Sequence, residues 1–486
     1  VKFPRTRFLP GPKAPAWVLA ETGTGAVFSL LSMLAVSRNI GTVAAGVGAL
    51  AIATFLLLDL VGSTIMTDAV IQWRRLDQRH ARSALTLAAL SGVGTGLLLG
   101  LAGLAVARAT GHGQIIWLCL AMAPLLPLSA FSGAAAGLVL REHRYLLLAT
   151  RVFLGQPIGL ACGLLLASEG AGPWAMMAVQ AANTVIVFLI FVVARAVPLG
   201  PMLDRAALAD LWPVAGPQLA SVVMLAGRYR IFIIVLGMIA AAHIVAVCNV
   251  GFRLLDSLLM VVASSTLRIT LPRLSALQDH PEQFAETYGE TAQFQALLGW
   301  PMAAGVALTA HNLVVGLMGP QWQSAASGAR IVACTALIAY SYGDVGSLWV
   351  AVGKTRINSF TSAAAVFVPV AGLLLLRPHT PSAAALCWGA TGLLLAPPNI
   401  YLALRQIRRG PVWLLRHTWP AYLATACMVA AVLAINPLLP AAPLLALLCQ
   451  AGVGAVVFIA VAFLALGRRL PKALHMHAPP VAEPAA

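Results

Sequence analysis

Apolar runs of about 20 residues, separated by short polar or charged stretches, recur along the whole chain. Each run can cross a hydrocarbon core of about 30 Å as one α-helix. The pattern predicts an all-α polytopic membrane protein of about fourteen transmembrane helices. The first six spans are expected near 16–37, 41–63, 84–107, 114–140, 145–168 and 172–197, and the next six near 213–238, 242–268, 293–317, 328–352, 357–376 and 382–404. A final pair is expected near 420–436 and 442–467. Two polar connections, IQWRRLDQRHARSA after span 2 and LPRLSALQDHPEQFAETYGET after span 8, read as interfacial amphipathic helices. They lie six spans apart, which suggests two six-helix halves in the same membrane orientation.

Composition removes the soluble alternative. Of the 486 residues, 60% are hydrophobic and 9% charged, where a soluble domain carries about 25% charged residues. The mean hydropathy is +0.89. The seven cysteines are scattered singly, with no CxxC, and read as small hydrophobes rather than disulfides or metal ligands. No cofactor and no metal site is implied.

The net charge of +16 would point to nucleic acid in a soluble protein. Here the basic residues sit in alternate loops. With the N-terminus inside, twenty-three Lys and Arg fall on the inner side, and only Arg38, Arg108 and Arg377 on the outer. That bias predicts an even number of spans with both termini cytoplasmic. The chain then divides into an inner N-terminal segment (1–15), an N-lobe (16–197, spans 1–6) and a C-lobe (198–404, spans 7–12). An inner loop with spans 13 and 14 (405–467) and an inner tail (468–486) follow. The His475-Met476-His477 cluster lies in that tail and reads as disorder.

Charged residues within spans are costly and need a reason. Span 8 places Asn249, Arg253, Asp256 and Met260 on one face, with Arg253 and Asp256 able to pair within the helix. Span 7 carries Gln218, Ser221 and Arg228 on one face, and Arg230 lies about 200° round from Arg228. Arginine forks suit anionic ligands such as a diphosphate. Arg228, Arg253, Asn249, Gln218 and Ser221 are therefore the candidate substrate contacts. Asp256, Asp344, Glu21 and Asp59 are the candidate ion-coupling residues. Asp344, with Tyr340 and Ser347 on one face of span 10, fits equally a structural partner for an arginine on a neighbouring span. Pro124, Pro127, Pro157, Pro217, Pro301 and Pro369 fall within spans and favour bending.

Four segments resemble a known family. They are LLLDLVGSTIMTDAVIQWRRLDQRHARSA (56–84), GAGPWAMMAVQ (170–180), NVGFRLLDSLLMVVASSTLRITLPRLSAL (249–277) and PMAAGVALTAHNLVVGLMGPQWQSA (301–325). Together they make residues 15–410 similar to the polysaccharide transporter family of O-antigen and exopolysaccharide repeat-unit flippases. That family belongs to the superfamily of multidrug and oligosaccharidyl-lipid exporters. The resemblance implies two six-helix lobes around a central V-shaped cavity, and alternating access. It also implies undecaprenyl-diphosphate-linked oligosaccharide as cargo, with a polysaccharide polymerase and a chain-length regulator as partners beside membrane lipids. Arg253 matches in position a cavity arginine of the lipid II flippase branch. Span 1 departs from that branch, having Glu21 and no arginine, and an acidic residue there resembles the drug-extruder branch.

Three functions follow from these features: a repeat-unit flippase, a cation-coupled multidrug antiporter, and a membrane glycosyltransferase or polymerase. The enzyme reading lacks a sizeable outer loop, a catalytic carboxylate pair and a phosphate-binding glycine loop. A non-enzymatic transporter is the expectation.

Overall fold

The computed structural model describes residue 11 and residues 16–467 other than 74 and 199. The side chains of Gln218, Ser221 and Asp256, three of the candidate residues, lie outside the described residues. Among the described residues there are helices and no strand. The first eight helices are α1 (Ala16–Asn39), α2 (Thr42–Thr64), α3 (Thr67–Gln72), α4 (Gln78–Thr110), α5 (Gln114–Met122), α6 (Leu125–Arg141), α7 (Tyr145–Ser168) and α8 (Pro173–Val193). Then come α9 (Arg205–Ile239), α10 (Ala242–Ala276), α11 (Pro281–Met318), α12 (Ser324–Ala339) and α13 (Val345–Ala351). The chain closes with α14 (Thr355–Leu376), α15 (Pro381–Gln406), α16 (Pro411–Ile435) and α17 (Pro443–Ala465).

Local chemistry sets the helix ends. Asp77, Asp204 and Thr380 cap α4, α9 and α15, each accepting from a backbone N–H of the first turn. Proline opens α8, α11, α15, α16 and α17, where its missing N–H costs nothing. Gly111 closes α4 in the left-handed region, at φ 73°.

Ten of the described helices are long and apolar enough to cross a bilayer, eleven if the bent pair α5–α6 counts as one span. The chain is thus a multi-pass membrane protein, although this criterion does not reproduce the expected count of fourteen. One cause is a break: α12 stops at Ala339 and does not by itself reach across a bilayer. Parts of α9 and α10 have side chains outside the described residues.

The two polar connections differ from expectation. Neither forms a separate interfacial helix. After span 2 the short α3 is followed by a loop, and Asp77 then starts α4 directly. After span 8, α10 runs to Ala276, and Pro281 opens α11 after four residues. The polar stretch is absorbed into the ends of long helices. α11 has 38 residues and so spans about 57 Å, well beyond one hydrocarbon core.

The chain divides into two compact units, Val1–Asn249 and Val250–Ala486. In the first, Met66, Leu85, Leu138, Leu148, Phe191 and Leu211 form a core shared by α3, α4 and α6–α9. In the second, Leu274, Tyr288, Leu348, Trp349 and Leu404 do the same for α10, α11, α13 and α15. Lipid is as apolar as leucine, so helices in a bilayer associate through close packing of small residues. Alanine and glycine accordingly crowd the contacts. A Cβ on Gly46 of α2 would overlap the Ala242 carbonyl oxygen, and one on Gly133 of α6 the Ser63 carbonyl.

Candidate functional site

Within the first unit, one carboxylate inside a span pairs with an arginine on another helix, and a second lies in the field of one. Glu21 of α1 accepts from Arg151 Nη2 of α7 at 2.7 Å, and both side chains are largely buried. The Arg151 guanidinium also lies 5.8 Å from the Phe191 ring centroid on α8. Asp59 of α2 is hydrogen-bonded by Ser129 of α6 and lies in the field of Arg230 on α9. Its other oxygen, Oδ1, is buried with no hydrogen-bond partner among the described residues. Arg230 itself turns back onto the Ala226 carbonyl of its own helix.

Asn249 is held by a neighbour. Tyr229 of α9 donates to its Oδ1 at 2.5 Å and lies 3.3 Å from its backbone carbonyl. Arg228 and Arg253 are both half-buried. Arg228 sits in α9 of the first unit, and Arg253 in α10 of the second.

In the second unit, span 10 is interrupted between α12 and α13. Side chains from other helices satisfy the open backbone. Tyr288 of α11 donates to the Tyr342 carbonyl at 2.5 Å, and Trp300 Nε1 donates to Ser341 Oγ at 3.2 Å. Tyr422 of α16 donates to the Ser341 carbonyl at 3.4 Å, with its ring 4.4 Å from that of Trp300. Asp344 is the N-cap of α13, accepting from Ser347 N at 3.2 Å and Ser347 Oγ at 2.5 Å. Unwound backbone at membrane depth persists only where protein or water satisfies it, and here protein does.

At the polar end of the first unit, His80 sits between two carboxylates. Its Nδ1 is 2.7 Å from Asp77 Oδ1 on the same turn, and its Nε2 is 3.3 Å from Asp210 Oδ2 on α9. A carboxylate only accepts, so both contacts are hydrogen bonds at once only on the imidazolium. Hydrogen bonds from the His80 backbone and ring hold the Asp77 carboxyl well below its ordinary range. Nearby, Arg141 Nη1 donates to the carbonyls of Val70, Ile71 and Trp73, closing the C-terminal end of α3. Among the described residues no cluster of three or more His, Cys, Asp or Glu could hold a metal ion.

The sequence profile described as polysaccharide biosynthesis protein matches residues 36–327, more than half of the chain. The chain belongs to that family. No curated protein matches it by sequence. Among solved structures it is similar to the lipid II flippase MurJ in its inward closed conformation, with a TM-score of 0.75. The identity is 10%, over 93% of this chain and 98% of that one. It is also similar to an inward-facing multidrug resistance MATE family transporter of the MOP superfamily, with a TM-score of 0.63 and 13% identity. That match covers 79% of this chain and 94% of the other. A MOP superfamily transporter from Pyrococcus furiosus aligns with a TM-score of 0.51 and 12% identity, over 82% and 96% of the two chains. At these identities the likeness shows a shared fold.

Sequence reasoning found the acidic and basic residues and missed their pairing. Tyr229, Ser129, His80, Asp210, Tyr288 and Tyr422 were not singled out. A tyrosine within a span offers a weak signal, since a buried hydroxyl needs a partner.

Proposed function

We propose that this chain is a flippase for surface polysaccharide biosynthesis. It moves an undecaprenyl-diphosphate-linked oligosaccharide repeat unit from the cytoplasmic to the outer leaflet of a bacterial inner membrane, by alternating access. The observation that carries this reading is the family match over residues 36–327, on a chain that folds like a lipid II flippase. The half-buried Arg228 and Arg253 supply the chemistry. A guanidinium fork inside a membrane protein suits a diphosphate, and a cationic drug would not select it. Arg228 and Arg253 are proposed to contact the diphosphate, with Asn249, Gln218 and Ser221 toward the glycan. Both termini face the cytoplasm, as the loop-charge bias supports. A polymerase and a chain-length regulator act on the product. No catalytic step is assigned to this chain.

The test is genetic. In a strain whose surface polymer depends on this gene, R228A and R253A lower polymer yield at equal protein level, and the double variant abolishes it. Undiminished polymer from stably expressed variants overturns the reading.

One observation favours a second reading, cation-coupled drug antiport. Among the described residues Asp59 keeps a buried carboxylate oxygen without a hydrogen-bond partner, as a proton or cation carrier would. That reading requires proton- or sodium-dependent efflux of cationic dyes, abolished by D59N. A flat dye response removes it.

A further inference from the structure

A cavity lies in the unit Val250–Ala486, at the ends of α13, α14 and α15. Trp349, Lys354, Ile357, Leu402, Arg405 and Gln406 line this cavity, of about 290 Å³. The polar groups in its wall are matched in one respect: what they have to offer is protons. Lys354 Nζ spends one on Gln406 Oε1, at 2.6 Å, and so takes up the acceptor of that amide. The ammonium keeps further protons, Arg405 presents a guanidinium, and Gln406 keeps its amide N–H groups. Trp349 is 1% exposed, and its indole Nε1–H has no hydrogen-bond partner among the described residues. A buried donor without an acceptor is costly. Among the described residues no carboxylate lines the cavity. Lys354 is also the N-cap of the 22-residue α14, whose N-terminal end adds positive potential.

We propose that this cavity binds the phosphate of an anionic phospholipid headgroup, at a place separate from the transport route. Phosphate oxygens only accept, so one group accepts hydrogen bonds from both the ammonium and the guanidinium. The lipid origin follows from position. Ile357 and Leu402 give the cavity apolar walls. Phe360 on α14 and Tyr401 on α15, close by in sequence, are 75% and 63% exposed, as lipid-facing side chains are. At about 290 Å³ the cavity sits at the lower limit of drug-sized sites and suits a headgroup. Basic pockets between helices at a membrane surface are the usual form of such sites. The assignment to the cytoplasmic leaflet rests on the orientation proposed above, and the binding itself does not.

The experiment uses the full chain in nanodiscs of phosphatidylcholine doped with phosphatidylglycerol, with retained lipids counted by native mass spectrometry. Wild type retains phosphatidylglycerol in excess over its share of the disc. The double variant K354Q/R405Q lowers that retention about 30-fold, and each single variant about fivefold, in line with the contribution of one basic residue near a lipid surface. The single variants decide the question if the double variant does not fold. K354R and the distant R377Q keep wild-type retention. Unchanged phosphatidylglycerol in K354Q and R405Q overturns the proposal, as does equal retention of phosphatidylcholine. Displacement of phosphatidylglycerol by millimolar inorganic phosphate assigns the cavity to a soluble anion and also overturns it. Polymer yield is not the readout, so failure here and failure of the flippase reading are distinguishable.

Discussion

The two units keep their membrane carboxylates by different means. In the first, Glu21 pairs with Arg151 on α7, and Asp59 is hydrogen-bonded by Ser129 on α6 and lies in the field of Arg230 on α9. In the second, Asp344 turns inward on its own strand of chain and caps α13 at a break in span 10. Span 4 of the first unit is also interrupted, with a 43° bend between α5 and α6. There the backbone nearly closes on itself. Ala123 N donates to the Cys119 carbonyl at 3.0 Å, and Leu126 N to the Ala123 carbonyl at 3.2 Å. Pro124, with no N–H to lose, makes the bend. The break in span 10 instead depends on Tyr288, Trp300 and Tyr422, drawn from α11 and α16. An interhelix ion pair joins two helices through charge, and a stitched break ties a local conformation to its neighbours. The helix pair α16–α17 is therefore more than an appendage, because Tyr422 reaches the break.

Variants can break this comparison, beginning with the largest effect. Arg151→Ala leaves Glu21 largely buried and unpaired, at an expected cost of about 3 kcal/mol. The double variant R151A/E21A recovers most of it. Thermal unfolding in detergent reads both, and simple additivity would show that the pair does not couple α1 to α7. Gly343→Ala comes next. Gly343 sits at φ +79° within the break, where an L-side chain is strained by about 1–2 kcal/mol. A neutral result would mean that the break is not fixed by its backbone.

Asp344→Ala removes the cap of α13 and lowers stability by about 1 kcal/mol, whereas Asp344→Asn retains most of it. Equal loss in both would point to the charge rather than the cap. Tyr288→Phe deletes one hydroxyl from the break and costs about 1 kcal/mol. Tyr422→Phe costs less, since its bond is long at 3.4 Å. The smallest effect lies outside the membrane. Asp77 has its folded-state carboxyl below the ordinary value of 3.8, so its stabilisation is present above that pH and fades as pH falls below it. The difference in unfolding temperature between wild type and D77N is therefore largest near neutrality and shrinks below about pH 4. A difference that grew with acid would contradict the His80 contacts.

Much of the architecture was legible in advance. Apolar runs the length of a bilayer can become only helices or closed barrels, because lipid satisfies no backbone polar group. The all-helical membrane fold and the family followed from that pattern and from four segments of sequence. The candidate site was legible as residue types. Glu21 is legible as a carboxylate within span 1, but its partner Arg151 lies 130 residues further along the chain. Asp344 was read as either an ion ligand or an arginine's partner, and it accepts from Ser347 three residues on. The helical face that grouped it with Tyr340 and Ser347 assumed an unbroken span. Gln218, Ser221 and Asp256 have side chains outside the described residues.

The sequence by itself determined which segments enter the membrane, because burial in lipid depends on local composition summed over about 20 residues. It also determined where helices start, since a cap or a proline acts within one turn. Only the tertiary structure decided which charge meets which. Helix faces become neighbours through the packing of small residues from distant segments. The same packing brings Tyr288 and Tyr422 to the break in span 10, and Lys354, Arg405 and the indole of Trp349 to one cavity.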